Sequence, residues 1–238
     1  MKGLYFRIFI SLILILLGNK FIIEQEYTYW IERVLYVAVF IIGLGIIIDF
    51  QIKKIPEKPK KNINLKIIFL GFFTIASLYV FGQSFVTLKS ELFDLEIQSK
   101  GTIEFHFVLT LLLWSSLEEL YTRRIIAQTV SQKYSFIMGI FVSSLVFSLL
   151  HFFTDSGLFY TFLGGIIFSM LYLKTGSFIL VIVLHLFHNL LVAFNSDYFI
   201  IKMLQMEIKT ILSIVIASIF CYIFSLIIIN KNYKYISS

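Results

Sequence analysis

The chain has 238 residues, of which 59% are hydrophobic and 14% charged, a balance that excludes a soluble domain. Its apolar residues suffice for roughly eight spans of about 20 residues each, so the fold expected is an all-α, polytopic transmembrane helical bundle lodged in a lipid bilayer. Twenty Lys and Arg against fourteen Asp and Glu give a net charge of +6, and in so apolar a chain the excess belongs in cytoplasmic loops, which argues against a nucleic-acid partner. Cys221 is the lone cysteine and excludes both an internal disulfide and a Cys-rich metal site.

Hydropathy in chain order predicts spans near residues 5–22, 34–50, 66–88, 105–130, 135–154, 158–173, 177–195 and 209–229. Lys2 and Arg7 precede an Ile/Leu run as in a signal peptide, but no small-residue cleavage site follows Gly18 to Lys20, so this segment reads as a retained first span. Tyr27, Tyr29 and Trp30 stand where an interfacial aromatic belt is expected. The loop from Gln51 to Lys66 is dense in lysine, whereas the one from Lys89 to Glu104 carries Glu91, Asp94, Glu96 and Glu104. The first belongs inside and the second outside. With alternating spans, Arg123, Arg124, Lys133, Lys174, Lys231 and Lys234 fall on the lysine-loop side, which puts both termini in the cytoplasm.

Three regions follow from this pass. Residues 1–104 hold N-terminal spans with a basic cytoplasmic loop, residues 105–195 hold helices dense in intramembrane polar groups, and residues 196–238 hold a last span and tail.

The chemistry lies in the middle region. In WSSLEELYTRR, Trp114 to Arg124, the preceding apolar run is too short to cross a bilayer, so the helix continues through Glu118 and Glu119 and carries two carboxylates toward membrane depth. A charge there costs at least about 2.5–3.5 kcal/mol, so it is kept only if it pairs or works. Glu119 and Arg123 are four apart, in the favourable order for an ion pair, while Glu118 lies about 100° round the helix. Taken alone, a wet helix end at the headgroup level would also account for them. FSLLH places Phe147 one turn before His151, where it can pack on the imidazole. HLFHN places His185 and Asn189 on one face of the seventh span, with His188 on a flank as a supporting or snorkelling residue. His106 reads as interfacial. Gly164, Gly165 and Ser169 mark close helix packing, and Lys174 to Ser177 a tight turn. Two acids, two histidines and an asparagine on three spans supply a carboxylate base, imidazoles to orient water or bind metal, and an amide for an oxyanion.

These residues resemble a known set. EELYTR (Glu118 to Arg123) matches E-E-x-x-x-R, FSLLH (Phe147 to His151) matches F-x-x-x-H, and HLFHN (His185 to Asn189) matches H-x-x-x-N, in that order on successive hydrophobic helices. The pattern is similar to the CPBP family of CAAX-protease and bacteriocin-processing intramembrane proteases, also called Abi, over residues 105–195. The resemblance implies an intramembrane endopeptidase acting on a membrane-associated peptide or protein, in a bacterial plasma membrane. It implies Glu118 as the general base, supported by Glu119 and Arg123. His151 would hold the same water or a metal, and His185 and Asn189 would complete the site and stabilise the oxyanion. Family members commonly carry an aromatic before the motif arginine and a glycine after it, where this chain has Thr122 and Arg124, so different helix packing is expected there. Zinc is a possible cofactor with Glu118, His151 and His185 as candidate ligands, and a metal-free glutamate mechanism is favoured slightly over it. Two other classes are weighed: a non-catalytic binding or bacteriocin-immunity protein on the same fold, and a proton-coupled transporter, which would show repeated halves not seen here.

Overall fold

The structure is a computed structural model describing residues 2–25, 29–48, 63–95, 105–153 and 157–233. Among these the elements are helical: α1 (Lys2–Glu24), α2 (Tyr29–Ile48), α3 (Leu65–Phe93), α4 (Phe105–Glu119), a π-helical segment (Leu120–Ala127), α5 (Gln128–Lys133), α6 (Phe136–Leu150), α7 (Leu158–Thr175), α8 (Phe178–Met203) and α9 (Ile208–Asn232). α4, the π-segment and α5 join without a break, so the eight hydropathic segments correspond to eight continuous helices. Most of the lysine-rich loop, the acidic residues Glu96 and Glu104, and Tyr27 lie outside the described residues, as do the side chains of Tyr29, Trp30 and His106.

Among the described residues, five helices are long and apolar enough to cross a membrane: Gly3–Glu24, Leu65–Phe93, Leu158–Thr175, Phe178–Met203 and Ile208–Asn232. The difference from eight has physical causes. α2 and α6 contribute only the shorter apolar stretches Val34–Ile47 and Phe136–Leu150, and the helix through residue 130 is interrupted by Glu118, Glu119, Arg123 and Arg124. α8 also runs on past residue 195, the expected end, to Met203.

The chain divides into two compact units, one from Met1–Pro59, Leu117–Ser169 and Ser237–Ser238, the other from Lys60–Ser116 and Met170–Ile236, each seen through its described residues. In the first, α1 packs on α2 and on α6, and the π-segment packs on α5 and α6. Arg7 donates to the Ile46 carbonyl (2.9 Å), near the C-terminal end of α2 where carbonyls lack helical partners. The Lys133 ammonium lies over the Tyr5 and Tyr134 rings (4.2 and 4.9 Å). Tyr121 donates to the Ile8 carbonyl (3.0 Å), which ties the π-segment to α1. In the second unit α3 packs on α8 and α9. There Tyr233 donates to Asn64, the N-cap of α3 (2.7 Å), and Lys174 donates to the carbonyls of Asn230 (3.2 Å) and Tyr233.

The small-residue expectations hold locally. A Cβ on Gly165 would stand 2.6 Å from the Ser144 Cα, so α6 and α7 approach to backbone contact at this point. Gly176 has φ +65° in the turn between α7 and α8, and Ser177 caps α8 by accepting from the Leu180 N–H (3.2 Å).

Gly165→Ala is expected to lower stability by about 1–3 kcal/mol, because the neighbouring backbone has to move. Gly45→Ala, with nothing within 4 Å of its added Cβ, is expected to lose none and gain up to ~1 kcal/mol of helix propensity. Thermal melting of both variants in detergent checks the contrast.

Candidate active site

The residues of the E-E-x-x-x-R and F-x-x-x-H motifs come together in the first unit. Glu118 and Glu119 are the last residues of α4, and they are 3% and 0% exposed. A wet helix end therefore does not describe them. The Arg123 Nε stands 3.0 Å from Glu119 Oε2 with both side chains wholly buried, the pair that the spacing predicts. Arg123, grouped from sequence with the loop cations, is instead enclosed by protein. Its Nη1 donates to the Thr122 hydroxyl, and its guanidinium lies over the rings of Phe147 and Phe168 (4.4 and 5.3 Å to the centroids). Anion, hydroxyl and two π-faces offset part of the hydration a buried guanidinium loses, and among the described residues its Nη2 has no hydrogen-bond partner.

The turn that carries this arginine is π-helical. The Gln128 N–H reaches the Arg123 carbonyl, five residues back. Hydroxyls bind carbonyls around the widened turn: Thr122 donates to the Glu118 carbonyl (2.5 Å), Ser143 of α6 donates to the Thr122 carbonyl (2.8 Å), and Ser169 of α7 donates to Ser143 (3.1 Å). Thr122 thus uses its hydroxyl as donor and acceptor at once. Arg124 is occupied separately, donating to Gln128 (2.5 Å).

His151 follows the last residue of α6, with its ring 4.6 Å from the Phe147 ring, centroid to centroid. Its Nδ1 is 2.8 Å from the Phe147 carbonyl oxygen. A carbonyl only accepts, so Nδ1 carries a hydrogen, and in the neutral ring Nε2 is then the acceptor. Nε2 stands 3.9 Å from Glu118 Oε1, longer than a direct hydrogen bond.

In the second unit His185 is buried (3% exposed) and Asn189 half-buried, both on α8. Asn189 Nδ2 donates to the Ser115 hydroxyl (3.1 Å), and His188 Nδ1 is 3.4 Å from Asn189 Oδ1. Among the described residues, no group of three or more His, Cys, Asp or Glu is assembled that could hold a metal ion.

Sequence reasoning missed Ser115, Ser143 and Phe168. Ser115 had a signal: it shares the WSSLEELYTRR run with the glutamates, and it is a hydroxyl in an apolar helix, which has to find a partner.

Residues 101–191 match the family model described as Type II CAAX prenyl endopeptidase Rce1-like. That stretch contains all three motifs and agrees with the CPBP resemblance read from them. No curated protein and no solved structure matches the chain.

Replacing either Glu119 or Arg123 alone by an apolar residue is expected to cost about 3–5 kcal/mol, since it strands the other charge in a buried place. The double replacement Glu119→Leu with Arg123→Met is expected to recover part of that loss. A double-mutant cycle on denaturation in detergent, read as a non-zero interaction energy, checks it.

Proposed function

We propose that this chain is a CAAX-protease-like intramembrane endopeptidase in which Glu118 activates the attacking water. The observation that supports the reading is the fixed tautomer of His151, which turns an accepting Nε2 toward an accepting carboxylate oxygen 3.9 Å away. A water held between them donates one hydrogen to each and turns its oxygen lone pairs outward. During attack its oxygen bonds the scissile carbonyl carbon while one proton passes to Glu118. Collapse of the tetrahedral intermediate breaks the C–N bond, and Glu118 returns the proton to the leaving amine. N–H groups of His185 and Asn189 stabilise the oxyanion, roles that rest on the H-x-x-x-N motif. Glu119 keeps Arg123 in place and is not a proton carrier.

The same division of labour favours a mechanism without resident zinc. A zinc held by Glu118, His151 and His185 would make Glu118 a ligand and transfer the base role to Glu119, whose carboxylate already lies 3.0 Å from Arg123. The substrate class is a peptide presented at the membrane, with prenylated C-terminal peptides first among those to try.

In proteoliposomes with a farnesylated CAAX peptide, Glu118→Gln is expected to abolish cleavage while insertion is unchanged, because an amide cannot take a proton from water at neutral pH. Wild-type activity is expected to survive exhaustive chelation. Near-normal turnover by the glutamine variant would remove the base assignment, and stoichiometric zinc whose removal abolishes and whose return restores activity would reassign Glu118 as a ligand.

We also propose a bacterial plasma-membrane location, from the family resemblance, with both termini cytoplasmic, from the charge asymmetry of the loops. Single cysteines in a Cys221→Ser background are expected to label from the cytoplasm between Lys53 and Lys61 and from outside at Asp94. Opposite labelling inverts the topology.

A further inference from the structure

We propose that Ser115 is a positioning residue that sets the orientation of the Asn189 side chain, the proposed oxyanion donor. The inference rests on the endopeptidase reading for its consequence but not for its geometry. The last torsion of an asparagine joins an sp³ to an sp² carbon and has a broad energy profile, so an amide held by nothing turns easily. Asn189 is held at both ends. Its Nδ2 gives one hydrogen to Ser115 Oγ (3.1 Å), and its Oδ1 faces His188 Nδ1 (3.4 Å), where an amide oxygen accepts and the imidazole nitrogen donates.

The two contacts have different strengths. The serine bond is of ordinary length and Ser115 is 0% exposed, so no water competes for its oxygen. The histidine contact is long and comes from the adjacent residue on the same helix, so by itself it leaves the amide plane loosely defined. Ser115 approaches from α4 and fixes which of the two amide hydrogens is engaged. The second hydrogen is thereby given a set direction, as an oxyanion donor requires, since its stabilising effect depends on being aimed before charge develops. None of the three sequence motifs includes Ser115.

The test uses full-length protein in detergent micelles and proteoliposomes, with asparagine labelled by ¹⁵N and the Asn189 side-chain signals identified by their loss in Asn189→Ala. Ser115→Ala is expected to shift those signals and speed their hydrogen exchange, and Ser115→Thr, which keeps the hydroxyl, to return them toward wild type. On a farnesylated CAAX peptide, Ser115→Ala is expected to lower kcat by ~10-fold or more with KM within about 2-fold, the pattern of a misaimed group rather than a lost binding contact. Combined with Asn189→Ala it is expected to add no further loss. Unmoved Asn189 signals overturn the proposal whether or not any peptide is cleaved, and so does an unchanged kcat in an active enzyme. A shifted signal in a chain that cleaves no peptide would sink the endopeptidase reading and keep the orienting role.

Discussion

A guanidinium that loses its water must be compensated by protein, and the first unit is built round that constraint at Arg123. The charge is 0% exposed, and its partners come from three elements: Glu119 from the end of α4, Phe147 from α6 and Phe168 from α7. Each must arrive at contact distance or the burial cost, several kcal/mol per ion, is left uncompensated. This makes the packing of α6 and α7 against the π-segment more than a matter of apolar area. The hydroxyl chain from Thr122 through Ser143 to Ser169 links the π-segment to α6 and α7, and Gly165 lets the last two approach closely enough for it.

Phe147 connects that constraint to the chemistry. Its ring lies under Arg123 and beside His151, and its carbonyl oxygen binds His151 Nδ1. The side chain that helps shelter the arginine is thus on the residue whose backbone selects the imidazole tautomer. A change that displaced Phe147 would disturb charge burial and proton placement together. The second unit handles polarity differently, with neutral pairs such as Thr74 with Ser225 (2.9 Å) and Asn189 with Ser115, and with Lys174 held by backbone carbonyls at the end of α9. Such pairs satisfy polar groups in an apolar medium without assembling charge.

What could be read from the sequence was local. Glu119 with Arg123, Phe147 with His151 and Ser177 before α8 are relations within one helix or turn, where 3.6-residue periodicity and capping rules fix the neighbour. The helical class followed equally from composition, because a chain with so few charges has few ways to satisfy its backbone in lipid. What could not be read depends on how helices meet. Phe168 and Ser143 become partners of the motif through packing, and the long, polar-interrupted stretch from residue 105 hides both the π-segment and the boundary between the two units. Thr122, a departure from the usual aromatic, reads as a packing change in sequence, yet it acts in the structure as a hydrogen-bond junction between Glu118 and Arg123.

The two candidate reactive groups of the first unit share a feature that regular helix would not supply. Glu118 precedes the π-helical segment by two residues, and His151 follows the last residue of α6 with φ −95° and ψ 11°. In the middle of an α-helix, backbone groups are fully engaged and side chains project at fixed intervals. At a widened turn and at a helix end the local backbone can adjust instead. Hydroxyls from Thr122 and Ser143 engage carbonyls in the irregular stretch, which reduces the cost of the departure. The irregular backbone and the buried hydroxyls therefore belong to one solution: the first lies next to Glu118 and at His151, which stand 3.9 Å apart, and the second makes that backbone tolerable inside an apolar bundle.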